Sequence, residues 1–424
     1  MGRTVASKKA LANQLLNVLQ SRLGHESFRG TQEAAIMSAC NGRDALVLAN
    51  TGAGKSLCYV MPGLLGRGLV LVVSPLIALM QNQADALRAK GVKVELLCST
   101  LSSARRSEVL AAMQANPCEL ELVFTTPESL ASQQLVGVVK ALRARRAIAL
   151  IAVDEAHCIS SWGHDFRPAY RKLGTLAELL PDVPIMALTA TATQQVQDDI
   201  LSSLRLRNPA VLRSSFNRPN IFYSVRYVDE AEEAEDKLAD LAATLQQLRA
   251  DLAGGAAGRV PCAVIYARKR NTTELIAQYL TSEGMPSAAY HAGLRDAQRS
   301  KVLNDWTSGR TPIVAATIAF GMGIDKADVR MVVHFNLPKS LEAFYQESGR
   351  AGRDGLPSFS VLYFGERDAS TTRWLLTKPK GRKRSRGDGD TRQAEQVGRL
   401  GRSDALPSRP LPVCSAARPC RVDL

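Results

Sequence analysis

Apolar residues along this chain fall into short uninterrupted runs separated by stretches of helical spacing. The runs at 45–50, 69–73, 120–125, 147–153 and 185–188 predict strands buried on both faces, and the segments 76–90 and 105–115 predict helices between them. Ahead of these, Leu11, Leu15, Leu16, Val18, Leu19 and Leu23 recur near helical spacing and Gly24 supplies a stop, so residues 4–23 read as a leading helix. Such alternation means a parallel sheet covered by helices, with ligands at the carboxyl ends of its strands.

The first unit ends around Asn208-Pro209. Phe216-Asn217-Arg218-Pro219-Asn220 then leads into a strand at 221–228, and runs at 262–267, 312–316, 329–335 and 359–364 predict a second alternating unit. Leu238, Leu241, Leu245, Leu248 and Leu252 repeat three and four apart, which predicts an amphipathic helix docked on its own sheet. The acidic stretch 229–236 is its solvated first turn, favoured by the helix dipole. The predicted fold class is therefore α/β, with parallel-sheet lobes at 1–208 and 209–367.

After Arg367 the periodicity fades. Residues 368–424 form a basic, low-complexity tail, and from 378 onward Arg, Gly, Ser and Pro dominate, a composition expected to be disordered. The formal net charge is +14, but residues 378–424 hold 12 Lys/Arg against 5 Asp/Glu and so carry half of it. The lobes are only mildly basic, and whole-chain charge says little about a polyanionic partner. The run Lys378–Arg386 suits a nuclear-import signal, a nonspecific phosphate clamp or a merely solvated tail. The eight cysteines form no Cys-x-x-Cys pair, so reduced thiols and no zinc are expected. No apolar stretch approaches the ~20 residues that span a bilayer, and the amino terminus lacks a signal-peptide apolar region. The expectation is a protein of the nucleus, with the cytoplasm also open, and no membrane partner.

The chemistry concentrates in three places. In Thr51-Gly52-Ala53-Gly54-Lys55-Ser56 the glycines let backbone amides close around phosphate oxygens. Lys55 offers a cation to the outer phosphates, and Ser56 can ligand Mg²⁺ at a helix start. Asp154 and Glu155 end the buried run 147–153. Asp154 is placed to hold the Mg²⁺ and Glu155 to deprotonate an attacking water, while His157 can link nucleotide state to the other lobe. Two acids there would be an ordinary helix cap if the phosphate loop were absent. Finally, Gln346-Glu347-Ser348-Gly349-Arg350-Ala351-Gly352-Arg353 spaces two arginines three apart, so on a helix Arg350 and Arg353 share a face and reach one γ-phosphate.

These residues, with Ser74–Gln83, Leu188–Ala192 and Ala319–Lys326, closely resemble the superfamily 2 helicases, specifically the RecQ family, over about residues 15–366. The resemblance implies two RecA-like lobes in tandem. His157–Pro168 is similar to the aromatic-rich loop that couples DNA binding to ATP hydrolysis in that family. Trp162 and Phe166 there offer stacking faces for unpaired bases, and Arg167 a phosphate contact. Phe28-Arg29-Gly30-Thr31-Gln32 resembles the adenine-reading motif, which implies that Arg29 and Gln32 contact the base. By the same likeness Ser74, Pro75, Thr126, Pro127, His291 and Thr317 fall in segments lining the nucleic-acid track, where backbone contacts bring no sequence specificity.

Departures from the family pattern include Asn50 before the phosphate-loop threonine, Leu23 before Gly24, and Ala267 where a cysteine is common. Cys414 and Cys420 lack the spacing of the family's zinc module, so the chain resembles the short, core-only eukaryotic forms. What the resemblance implies is an ATP-dependent DNA helicase moving 3′ to 5′ on single-stranded and forked DNA in repair and recombination. Two alternatives stay open. One is a nucleic-acid binding or annealing module whose ATP site only sets affinity; the other is an RNA helicase, since the motor core is shared across substrates.

Overall fold

The computed structural model describes residues 5–161, 166–190, 193–228, 234–252, 259–321 and 326–377. Thirteen strands are described, in two all-parallel sheets. The first contains β1 (Ala45–Leu48), β2 (Leu69–Val73), β3 (Val94–Leu97), β4 (Leu122–Thr125), β5 (Ile148–Val153), β6 (Ile185–Thr189) and β7 (Ala210–Arg213), in the order β3-β4-β2-β5-β6-β1-β7. The second contains β8 (Ile221–Tyr227), β9 (Ala263–Tyr266), β10 (Ser287–Tyr290), β11 (Ile313–Ala316), β12 (Met331–His334) and β13 (Ser358–Phe364), in the order β10-β11-β9-β12-β13-β8.

The central strands are apolar at every position because helices cover both faces. Leu46 and Leu48 look into one core layer with Val153 and Ala187, while Val47 looks into the other with Leu150 and Leu188. The leading helix Val5–Val18 continues through a wider π-type turn at Leu19–Leu23 and stops at Gly24. Leu11, Leu15, Leu19 and Leu23 are buried in the first layer, whereas Leu16 is exposed. In the second lobe the helix Ala234–Leu252 buries Leu238, Leu241, Leu245 and Leu248 with Ile265, Ile313 and Val333 and leaves Leu252 in solvent. That single stripe docks the helix on its own sheet, each leucine contributing roughly 1.5–3 kcal/mol.

The sequence-based boundaries shift at two places. β7 pairs along the whole of β1, Ala45 with Ala210 through Leu48 with Arg213, so the first lobe runs past residue 208 and the chain changes sheets over 214–220. At the far end the helix Glu366–Thr377 continues the second lobe beyond residue 367. Asp368 fastens it, accepting from the Leu337 backbone at 2.6 Å and pairing with Arg268 at 3.0 Å. The acidic stretch 229–233 and the basic tail from 378, with Cys414 and Cys420, lie outside the described residues.

Candidate nucleotide site and nucleic-acid track

Strand order determines which side chains meet. β6 lies between β5 and β1, so the loop after β1, Thr189 at the end of β6 and the Asp154-Glu155 pair after β5 converge on one edge. The phosphate loop Thr51–Lys55 leads into the helix Ser56–Leu64, whose first turn carries the Ser56 hydroxyl and the positive end of the helix dipole. Lys55 folds back over the loop and donates to the carbonyls of Ala49 at 2.9 Å and Asn50 at 3.2 Å. Burial holds its ammonium below the ordinary value, against the opposing pull of Glu155 and Asp154.

Asp154 is almost wholly buried, at 5% exposure, and burial pushes its carboxyl up to about 7, with the Glu155 charge adding to the shift and Lys55 opposing it. Glu155 turns the chain through a left-handed conformation at φ 48°. Its carboxylate lies 3.3 Å from His157 Nδ1, and that nitrogen is 3.0 Å from Thr189 Oγ1. Two adjacent enclosed acids and a helix-start hydroxyl form an oxygen donor set short of positive charge. A hard divalent cation would satisfy it.

Gln32 lines the cleft beside the phosphate loop. Its amide is buried and spent on the protein: Oε1 accepts from the Arg29 backbone at 2.8 Å, and Nε2 donates to the carbonyls of Ala53 at 3.0 Å and Gly54 at 3.1 Å. The residue thus braces the phosphate loop. Arg29 is exposed and lines the mouth of the same cleft.

The arginine pair also differs from its helical reading. The helix Leu341–Ser348 ends before it, and Arg350 and Arg353 project from successive turns interrupted by Gly352 at φ +56°. Gln346 stays half-buried in the last helical turn. Glycine ends the helix early because Gly349 and Gly352 make continuation costly. The two side chains have different nearest neighbours. Arg350 is buried beside Gly321, 3.4 Å from where a Cβ there would stand. Arg353 reaches across to the first lobe, its Cγ 3.3 Å from the corresponding position on Gly52. Between the lobes lies a cleft of 530 Å³ lined by Arg29, Gln32, Asn50, Gly52 and Lys55 on one side and by Arg218, Asn220, Gly352 and Arg353 on the other. Arg218 and Asn220 belong to the segment read from sequence only as the approach to β8. Their tight packing around backbone carbonyls leaves no signature in residue spacing.

Along the expected nucleic-acid track most side chains serve the protein itself. Ser74 and Pro75 are buried at the end of β2, the Pro75 carbonyl accepting from Arg167 at 2.6 Å. Thr126 caps the short helix Pro127–Leu130 through Ser129, which buries Pro127 as well. His291 is buried against Glu274 at 3.0 Å, with its other ring nitrogen accepting from Gly293 at 3.2 Å. Thr317 is half-buried after β11. Phe166 is exposed, with the Arg171 guanidinium 4.9 Å from its ring centre, a face already matched to a cation. Trp162 lies outside the described residues.

Comparison with known proteins gives this geometry a family. Residues 29–199 match the DEAD/DEAH box helicase model and residues 242–355 the helicase conserved C-terminal domain. The chain is 42% identical over 365 residues to ATP-dependent DNA helicase Q5 of Rattus norvegicus, covering 85% of this chain and 37% of that protein. It is 43% identical over 365 residues to ATP-dependent DNA helicase RecQ of Haemophilus influenzae, covering 86% of this chain and 55% of that protein. This chain therefore spans well under two thirds of these relatives' length. Among solved structures, Mycobacterium smegmatis helicase Lhr bound to ssDNA and AMP-PNP superposes with a TM-score of 0.65 at 20% identity, covering 87% of this chain and 49% of that one. Dbp5 of S. cerevisiae bound to RNA and ADP BeF3 gives a TM-score of 0.60 at 17% identity, covering 91% and 97%. The two sheets are RecA-like lobes in tandem, and the chain belongs to the RecQ family of superfamily 2 helicases.

Proposed function

We propose that this chain is the motor core of an ATP-dependent DNA helicase that moves 3′ to 5′ along single-stranded DNA and opens duplexes at forks during repair and recombination in the nucleus. The observation that carries this reading is the cleft in which the Gly52 turn of one lobe meets Arg353 of the other. ATP binds there, with Lys55 and the loop amides on its phosphates and Arg29 near the base. Ser56 and Asp154 would hold Mg²⁺, which supplies charge neutralisation at the outer phosphates. Glu155 orients and deprotonates the attacking water, and Arg350 and Arg353 balance charge as the γ-phosphoryl departs. Gln346, in the last helical turn before the arginines, joins the catalytic set. Binding draws the lobes together and hydrolysis frees them, and alternating grip on the strand converts this cycle into steps. The exposed ring of Phe166 and the Arg167 link to Pro75 tie the DNA side to the end of β2.

Two measurements test the reading. Lys55→Ala and Glu155→Gln should each abolish DNA-stimulated ATP turnover, and retained turnover in both would overturn it. Strand displacement should require ATP and a 3′ overhang and fail on a 5′ overhang. Stimulation by RNA equal to that by DNA would move the assignment to an RNA motor.

A further inference from the structure

Arg218 stands in the segment 214–220 where the chain passes from one sheet to the other, and its guanidinium is fully engaged. Nη1 donates to the carbonyls of Thr51 at 2.8 Å and Gly349 at 3.1 Å. Nη2 donates to Ala351 at 2.8 Å and Gly352 at 2.9 Å, and Nε to Asn220 Oδ1 at 3.4 Å. A single planar group thus grips the phosphate loop and three successive points of the turn that carries Arg350 and Arg353. Four of its five acceptors are backbone carbonyls, and among the described residues no carboxylate lies within ion-pair distance of it.

Two neighbours support this grip. Asn220 donates to the carbonyls of Gly352 at 2.8 Å and Leu356 at 3.0 Å, holding the same turn from its other edge. A Cβ on Gly52 would stand 3.3 Å from Arg218 Nη1 and 3.3 Å from Arg353 Cγ, so both arginines press on one glycine of the phosphate loop. The fork geometry matters here. Its fixed N–H directions match diverging carbonyls, a task for which a lysine's three freely rotating donors on one atom are poorly suited.

We propose that Arg218 is a positioning residue for nucleotide hydrolysis: by tying the arginine turn to the phosphate loop, it sets where Arg353 meets the γ-phosphate. The proposal rests on the ATP-hydrolysing reading above. Arg218 acts through Arg353, and its loss misplaces that guanidinium while leaving the phosphate-binding groups of the first lobe in place. A merely structural tether would instead lower stability and reduce every background alike.

The test is a double-mutant cycle on the full chain, with ATP turnover measured under single-turnover conditions in the presence of single-stranded DNA, alongside thermal melts and AMP-PNP binding. Arg218→Lys should lower the rate about 10- to 100-fold, the scale expected when a reacting group is misplaced. AMP-PNP affinity should stay within about threefold, because the charge lining the cleft remains. In an Arg353→Ala background the same substitution should have little further effect. Asn220→Ala, which removes two grips on the turn and the 3.4 Å acceptor of Arg218 Nε while leaving that guanidinium's four carbonyl bonds, should reproduce a smaller loss that also disappears in that background. A wild-type rate in Arg218→Lys, or equal fractional losses with and without Arg353, overturns the proposal while leaving the ATPase reading standing. Absence of turnover in the wild-type chain overturns both.

Discussion

Glu155 and His157 share an edge: Glu155 Oε2 lies 3.3 Å from His157 Nδ1, and the same nitrogen is 3.0 Å from Thr189 Oγ1 at the end of β6. The imidazole thereby bridges the acidic turn after β5 and the strand beside it, at 3% exposure. A base does its work only within reach of its water, so an orienting neighbour bears on rate rather than affinity. His157→Ala should lower kcat roughly 10- to 100-fold with KM little changed, a fraction of what the base itself contributes. Thr189→Val should fall in the same direction, and the pair should be less than additive because both act on one carboxylate. Steady-state ATPase assays check this, and a rise in KM alone would contradict it.

Gly54 faces Gln32 closely enough that a side chain at 54 must displace its amide. A Cβ there would stand 2.7 Å from Gln32 Nε2, and the backbone holds φ +72°. Gly42 has nearly the same angle, φ +73°, with nothing near its Cβ position, so it isolates the backbone cost. Gly42→Ala should cost stability alone, about 1–2 kcal/mol in denaturant titration. Gly54→Ala should add a loss of ATP affinity of at least about tenfold, because displacing Gln32 unbraces the loop; tenfold corresponds to about 1.4 kcal/mol. Equal nucleotide affinities in the two variants would show that the brace has no bearing on binding.

Most of the architecture was legible in the chain because the inner strands are buried on both faces and so read as apolar runs. The three strands without an unbroken apolar run, β3, β7 and β10, all lie at sheet edges. Val94-Glu95-Leu96-Leu97 is interrupted by a charge, Ala210–Arg213 alternates in exposure, and Ser287-Ala288-Ala289-Tyr290 is made mostly of small residues. None needs an unbroken apolar stretch, since one side is not covered by a neighbour. The phosphate loop and the Asp154-Glu155 pair were legible because their chemistry is local. The arginine turn was not: spacing of three suits a helix, and the departure depends on Gly349, Gly352 and the carbonyl grip of Arg218. The bonds from Gln32 to the carbonyls of Ala53 and Gly54 are equally invisible to spacing, since those groups lie some twenty residues away.

The buried acid predicts a pH dependence with a definite sign. In the ligand-free fold Asp154 is raised to about 7 from 3.8, so the folded protein binds this proton more tightly than the unfolded chain does. Its stabilising contribution is complete below the unfolded value and is lost as pH rises through about 7. Asp154→Asn stays neutral throughout. The variant should therefore lie closest to the wild type below about pH 4, gain on it steadily as pH rises to about 7, and keep a constant advantage above that, in denaturant titrations without nucleotide. A difference that stays flat, or shrinks with rising pH, would mean that Asp154 is ionised in the free fold well below neutrality.

Asp368 joins the helix Glu366–Thr377 to the carboxyl ends of β9 and β12. It accepts from the Leu337 N–H at 2.6 Å and from Asn336 Nδ2 at 3.4 Å, and it pairs with Arg268 at 3.0 Å, whose own N–H is held by Asn336 at 3.0 Å. Its side chain is 18% exposed, so solvent replaces these partners poorly. Asp368→Ala leaves a backbone donor and a guanidinium without their acceptor and should cost about 1–3 kcal/mol, the range for hydrogen bonds to a charged group. Asp368→Asn keeps one acceptor for Leu337 and should cost less. Combining Asp368→Ala with Arg268→Ala should cost less than the sum, since the first change already strands the second partner. If the helix were only loosely attached, both substitutions would leave the denaturation midpoint within error of the wild type, and trypsin would cut at Arg373 as fast in the wild type as in the variant.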